Sequence, residues 1–201
     1  MLIAFAIGLL LAYSFLDPVH AALQTLGEAK TRWGWPFVAV STALFGGLIP
    51  GLVQRVRDTM PWPQLLFFTA FWGVKGLEVD LLYRLQASVF GHGRDPATLF
   101  AKVLIDQAVY CPIWAVPSTV AAYAFAHAGF SIKRTLDPWR SGGLSQWYAR
   151  AVFPVILSNA GVWVPAVCVI YCLPLPLQLP MQNLVLCFWS LLLVLQVGRN
   201  R

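Results

Sequence analysis

The sequence predicts an all-α, polytopic membrane helix bundle of about six transmembrane helices. Hydrophobic residues make up 59% of the 201 residues and charged residues only 11%, whereas charged residues are roughly a quarter of a soluble domain. Several apolar runs reach the roughly 20 residues that a helix needs to cross a bilayer. Residues 151–198 contain no charged side chain. A soluble protein of this length could not bury so much apolar surface, so we expect a single integral membrane domain over residues 1–201.

The N-terminal segment Met1–Leu16 is an additional hydrophobic segment without a charged side chain. It is either a retained, short transmembrane helix or a signal peptide cleaved near Val19-His20-Ala21. The absence of Lys and Arg at its start favours the retained helix. If the segment is cleaved, five spans remain. His20–Trp33 is polar enough for a connector or an interfacial helix.

The second and third spans are predicted at Trp35–Val53 and from Pro61 to about Tyr83. The pair Gly46-Gly47 near the end of the second span suits close contact between helices. A loop is predicted at Phe90–Pro96.

A fourth span starts near Lys102 and extends to about Gly129, and Ser131–Arg150 is predicted as the longest polar loop. Two further spans follow, separated at the proline-rich stretch Leu173–Pro180, because proline cannot continue a helix. Prolines inside or beside these spans are predicted helix kinks: Pro112, Pro117, Pro165 and Pro176.

Charged side chains inside the predicted third and fourth spans are the candidate functional residues, because intramembrane charges are costly and suggest function. Lys102, Asp106 and Tyr110 share one stripe at helical spacing. The two spans run in opposite directions, so their charges are expected in the same half of the bilayer. The predicted pore or polar network consists of Lys75, Glu78, Asp80, Lys102, Asp106, Gln107 and Tyr110.

The pairing of these charges stays open at this stage. Lys75 with Glu78 and Lys102 with Asp106 have i, i+3 and i, i+4 spacings that suit pairs within one helix. The cross pairs between the two spans are equally compatible with the sequence. Asp80 faces nearly opposite to Glu78, and its i, i+4 spacing to Arg84 allows these two side chains to pair.

The sequence does not predict an enzyme, since it has no Ser-Lys or Ser-His arrangement, zinc-protease motif or phosphate-binding loop. The net charge of +6 is interpreted as loop charge and not as nucleic-acid affinity. No metal or cofactor is expected, because no Cys-x-x-Cys motif occurs and no histidine lies near the paired cysteines. The expected partners are the lipid bilayer, small metabolites or ions, and further copies of the chain in a homo-oligomer. The cysteines are Cys111, Cys168, Cys172 and Cys187.

Several motifs together resemble the twenty-two-kilodalton peroxisomal membrane protein and Mpv-seventeen family. The fourth span carries Lys102-x-x-x-Asp106-Gln107 followed by Pro112, which is similar to a signature of that family. The resemblance covers roughly residues 35–195. Its other elements are Gly46-Gly47 to Gln54, Gly76 to Leu85, Trp163-Val-Pro165, Pro176 and Trp189.

The chain departs from the family pattern mostly near its C-terminus. Asp80 stands where many members carry histidine, and Leu77 replaces the proline that follows the family's glycine. Further departures are Cys168, Tyr171-Cys172, Pro180 and Ser190. The resemblance implies a multi-pass protein of a mitochondrial, peroxisomal or plastid membrane, with a weakly selective channel among the activities proposed for members. The absence of a transit peptide and the preference for Arg over Lys also suit a bacterial inner membrane.

Two functions follow from these observations. The first is a small-solute channel or metabolite conduit involved in membrane homeostasis, in which the buried charges line a water-filled path. The second is a structural or assembly protein, in which the same charges only fix how helices pack. An intramembrane enzyme or redox partner is a third hypothesis that no motif supports.

Overall fold

The computed structural model describes residues 8, 11–13, 15–57 and 59–199, with backbone alone at 138–141 and 192–199. These residues form helices and no strand, so the predicted all-α class is confirmed. Most of the predicted first span, Met1–Leu16, lies outside the described residues. The helices are α1 Asp17–Trp33, α2 Trp35–Val56, α3 Trp62–Phe90, α4 Pro96–His127, α5 Ile132–Trp147, α6 Phe153–Tyr171 and α7 Leu175–Arg199.

Three helices within the described residues are long and apolar enough to cross a membrane: Trp35–Val56, Pro96–His127 and Gly142–Tyr171. The second predicted span therefore corresponds closely to α2, and the fourth predicted span to α4. These three helices identify the chain as a membrane protein.

Helix α3 extends beyond the predicted third span, which was expected to end near Tyr83. The helix continues to Phe90 and stops at Gly91, which has a φ of 78°. A side chain at that residue would be strained, and glycine tolerates the conformation. Asp95 directly precedes the next helix, α4, and its Oδ1 accepts a hydrogen bond of 3.0 Å from the backbone N–H of Thr98. This bond lowers the pKa of the Asp95 carboxyl.

The predicted polar loop Ser131–Arg150 is wrong, because most of it forms helix α5. Ser131 caps this helix by accepting a 3.4 Å hydrogen bond from the backbone N–H of Arg134. Polarity alone suggested a loop, but a polar segment with a cap can form a solvent-facing helix. The helical geometry is interrupted at Gly143, where φ is 71° and ψ is 170°.

The proline-rich stretch breaks the helices over fewer residues than predicted. Only Cys172–Pro174 lies between α6 and α7. Pro176 falls in the first turn of α7 and therefore starts a helix, where its missing N–H costs nothing. The predicted kink at Pro176 is therefore wrong, because this proline lies at the start of a helix and not in its interior. Pro165 lies inside α6, and Pro180 lies inside α7.

Each of the three candidate spans contains a π-helical segment that ends directly before a residue-proline pair. The three pairs are Ile49-Pro50, Val116-Pro117 and Phe153-Pro154, and the segments are π1 Ala43–Leu48, π2 Ile105–Ala115 and π3 Tyr148–Val152. At each junction the residue before proline donates its N–H to the carbonyl five residues earlier. The wider turn is a physical response to proline, which cannot donate the next hydrogen bond and clashes with the preceding turn.

The chain divides into two compact units, one formed by residues 1–99 with 166–201 and the other by residues 100–165. In the first unit, α2 and α3 pack antiparallel at glycines. A β-carbon added at Gly47 would lie 2.6 Å from Cα of Thr69, and one at Gly76 would collide with the side chain of Thr42. These glycines therefore permit the close approach of the two backbones.

Helix α7 completes the core of the first unit. Its residues Leu179, Met181 and Val185 are almost fully buried. In the second unit, the residues of α4 that follow π2 pack with α5 and π3. Each unit contains buried polar residues, which are the candidates for a functional site.

Candidate functional site

Lys75 and Glu78 form an ion pair on α3, with 2.6 Å between Nζ and Oε1. Lys75 is buried and Glu78 is partly buried. The i, i+3 pairing allowed by the sequence is therefore present. It neutralises two charges within one helix.

Asp80 is the centre of a second charged cluster. Its Oδ2 lies 2.7 Å from Nε of Arg84, so the i, i+4 pair that the sequence allows is present. Its Oδ1 lies 2.6 Å from Nζ of Lys30 on α1. The exposed fractions of the three side chains are 1% for Asp80, 4% for Lys30 and 48% for Arg84. The buried ion pair of Lys30 and Asp80 is thus in contact with the half-exposed guanidinium of Arg84.

Lys30 is not among the residues that the sequence predicts for the polar network, because its segment is predicted as a connector or an interfacial helix. The signal was present, since Leu23, Gly27 and Lys30 follow helical spacing and form the buried stripe of α1. Burial lowers the pKa of Lys30, and its hydrogen bond to Asp80 opposes that shift. Lys30 Nζ also donates to the carbonyl oxygen of Leu175 at 3.4 Å. One lysine therefore connects α1 to α3 and to the start of α7.

Uncharged polar residues of α7 extend this network. The hydroxyl of Tyr83 is hydrogen-bonded to Oε1 of Gln182, and its ring meets that of Tyr171 edge to face at 5.4 Å. Asn183 accepts a 3.0 Å bond from Thr42 and donates a 3.1 Å bond to Ser41. Sequence reasoning missed Gln182 and Asn183, although two adjacent amides in an apolar run are a signal of helix contact.

Gln86 is buried on α3, and neither atom of its side-chain amide has a hydrogen-bond partner among the described residues. Buried amides are nearly always hydrogen-bonded to protein or to water. Within the described residues, the Gln86 amide is an exception to this pattern.

In the second unit, Asp106 and Gln107 lie in π2 and Lys102 lies one turn earlier in α4. Gln107 Nε2 donates a 3.0 Å hydrogen bond to Asp106 Oδ1. The thiol of Cys111 lies 3.7 Å from the same oxygen. Asn159 of α6 contributes Nδ2 at 3.9 Å from Cys111 Sγ.

The predicted stripe of Lys102, Asp106 and Tyr110 changes direction at π2. From Lys102 to Val116, the buried residues of α4 are Lys102, Asp106, Cys111 and Val116, so the spacing changes from four residues to five. A π-helical segment closes its hydrogen bonds five residues apart, which explains the new spacing. Cys111 takes the buried place expected for Tyr110, which is partly exposed.

Pro112 and Pro117 explain why the hydroxyl of Tyr148 donates a hydrogen bond to the backbone of α4. Val116 donates its N–H to the carbonyl of Cys111. In that register the Pro112 carbonyl would accept from residue 117, which is proline and has no N–H. The Tyr148 hydroxyl donates to this carbonyl at 2.9 Å instead. Tyr148 therefore stabilises the π–proline junction of α4.

Replacing Tyr148 by phenylalanine is expected to lower the free energy of unfolding by about 1–3 kcal/mol, because the Pro112 carbonyl loses its partner. The measurement is denaturant unfolding of the purified protein in mixed micelles. Tyr13→Phe is the control, since the Tyr13 hydroxyl has no hydrogen-bond partner in the described part of the chain. Equal stability of the two variants would contradict this role of Tyr148.

The described residues offer no group of three His, Cys, Asp or Glu side chains that could hold a metal ion. The buried polar side chains described above form ion pairs and amide or hydroxyl hydrogen bonds. Such groups can bind ions, water and small polar molecules.

No family model, curated protein or solved structure matches the chain.

Proposed function

We propose that the chain is a multi-pass membrane protein that conducts small polar solutes with weak selectivity. The observation that carries this proposal is the position of Lys102 and Asp106, which are buried within the apolar helix α4 beside the π segment π2. Charges at such a position are costly and are typical of solute or ion pathways. Irregular helix in a membrane is tolerated where it faces protein or a water-filled cavity, and π segments are frequent at functional sites.

The membrane position of α2 is supported by tryptophans at both ends. Arg32 lies 5.8 Å from the ring centre of Trp33, and Arg55 lies 5.4 Å from that of Trp62. Exposed tryptophans mark the two interfaces of a membrane. At about 1.5 Å per residue, the 22 residues of α2 span the roughly 30 Å of a hydrocarbon core.

The six-span arrangement belongs to the same proposal. It adds α3, α7 and the hydrophobic segment Met1–Leu16 to the three candidate spans. The preference for Arg over Lys favours a bacterial inner membrane. The family resemblance favours a mitochondrial or peroxisomal membrane and agrees with a conduit.

Solute flux into liposomes tests the proposal. Purified wild-type protein is expected to release small polar solutes and to carry a measurable current. Asp106→Asn is expected to change conductance or cation preference several-fold, because a buried charge on the path is removed. Asp137→Asn is the matched control, since it makes the same chemical change on α5, outside the candidate spans. Folded wild-type protein without flux, or an unchanged current in Asp106→Asn, would contradict the proposal.

Helix fixation is the second candidate function, and the short ion pairs of the first unit favour it. Lys30–Asp80 and Lys75–Glu78 both have charge-to-charge distances of 2.6 Å. Neutral, satisfied pairs of this kind can specify how helices pack. If the charges only fix how the helices pack, Asp106→Asn is expected to lower the stability of the protein, and the reconstituted protein is expected to show no current.

A further inference from the structure

Arg84 carries a positive charge that the cluster around Asp80 does not need for neutrality. The Asp80 carboxylate is already paired with Lys30 at 2.6 Å, and both side chains are almost fully buried. Arg84 is a second cation on the same carboxylate. The cluster therefore contains two cations and one anion, and the excess charge lies on the half-exposed member.

The guanidinium of Arg84 is oriented by this contact and is only partly used. Nε points to Asp80 at 2.7 Å, and Asp80 is the one partner of Arg84 within the described residues. A guanidinium has five N–H donors in a planar fork. The outer edge, formed by Nη1 and Nη2, thus remains available for a second, bidentate acceptor.

The position of Arg84 along the membrane normal follows from its neighbours. Asp80 contacts Lys30, which precedes the exposed Trp33 by one helical turn, and Arg84 follows Asp80 by one turn towards the end of α3. Trp33 marks a membrane interface in the proposed arrangement. Arg84 is accordingly at the depth of lipid headgroups.

We propose that Arg84 binds the phosphate group of an anionic lipid headgroup at this interface. The inference depends on the membrane placement in the proposed function and not on solute conduction. Arginine suits the task because its planar fork matches two phosphate oxygens. Asp80 positions the fork, while Lys30 keeps the Asp80 carboxylate from cancelling the charge of Arg84.

The test is a titration of phosphatidylglycerol into the full-length protein in phosphatidylcholine-containing micelles, with the unfolding temperature as readout. A ligand that binds the folded state raises this temperature by mass action. For Arg84→Gln, half-maximal stabilisation is expected at about tenfold higher phosphatidylglycerol, because charge-assisted hydrogen bonds are lost. Arg84→Lys keeps the charge without the fork and is expected to fall between the two proteins.

Arg94→Gln is the control of equal net charge, since Arg94 lies exposed in the loop after α3. It is expected to respond like the wild type. An equal loss in Arg94→Gln, or a wild-type response in Arg84→Gln, would overturn the site. If Arg84→Gln does not fold, a wild-type titration curve in Arg84→Lys overturns the bidentate site on its own.

A separate arm uses inorganic phosphate at matched concentration. Stabilisation by phosphatidylglycerol but not by inorganic phosphate supports a lipid headgroup as the ligand of Arg84. The same Arg84-dependent stabilisation by inorganic phosphate would overturn the lipid assignment and assign the site to soluble phosphate. Flux through liposomes is a separate readout, so absence of conduction leaves the result of the titration interpretable.

Discussion

Asp80→Asn is expected to lower the free energy of unfolding by about 3–5 kcal/mol, as typically results when one partner of a buried ion pair is removed. The asparagine cannot neutralise Lys30, whose side chain is 4% exposed and lies 2.6 Å from the carboxylate in the wild type. The cost is therefore that of an uncompensated buried cation. Denaturant unfolding in mixed micelles measures it.

Two variants give this experiment its controls. Glu28→Gln removes an acid from the exposed face of α1 and should change stability by less than about 0.5 kcal/mol. Lys30→Met combined with Asp80→Leu removes both buried charges and is expected to recover most of the loss. A double variant that is as unstable as Asp80→Asn would show that packing, and not charge compensation, dominates at this position.

Gly47→Ala is expected to destabilise the first unit by about 3 kcal/mol, the upper part of the range for overpacking. The new β-carbon would lie 2.6 Å from Cα of Thr69 and 2.9 Å from the carbonyl oxygen of Phe68. Both atoms belong to the backbone of α3, which cannot move aside as a flexible side chain can. Relief requires α2 and α3 to separate.

Gly161→Ala is the matched comparison, because a β-carbon at Gly161 of α6 meets no atom within 4 Å. Alanine is the better helix former, so a gain of up to about 1 kcal/mol is expected there. We therefore expect the free energy of unfolding to fall in Gly47→Ala and to rise in Gly161→Ala. A neutral Gly47→Ala would mean that the helices are not in close contact at this site.

The helical class and the pairs within one helix were accessible from the sequence, because both depend on local spacing. Lys75–Glu78 and Asp80–Arg84 are three and four residues apart, and both pairs are present. Lys30–Asp80 was not accessible in the same way. It joins two helices that are distant in the chain, and the local spacing of residues carries no signal for such a pair.

The sequence predicts helix boundaries less well where a polar segment forms a helix. The charges of Ser131–Arg150 predict a loop, but capping by Ser131 and satisfied backbone hydrogen bonds allow a polar helix. The prolines predict breaks or kinks, whereas Pro176 lies in the first turn of α7. The π segments had no signal in hydropathy, because they change the register of a helix and not its composition.

The π–proline junctions also determine how the two ends of each span are oriented about the helix axis. In an α-helix one additional residue turns everything that follows by about 100°. The π2 segment accommodates its wider turns within Ile105–Ala115, so the residues of α4 before it and those after it are out of phase about the helix axis. A helical wheel drawn through the whole of Pro96–His127 would therefore assign the residues after Val116 to the wrong side of the helix. The membrane-facing and protein-facing surfaces of this span have to be mapped separately on each side of the junction.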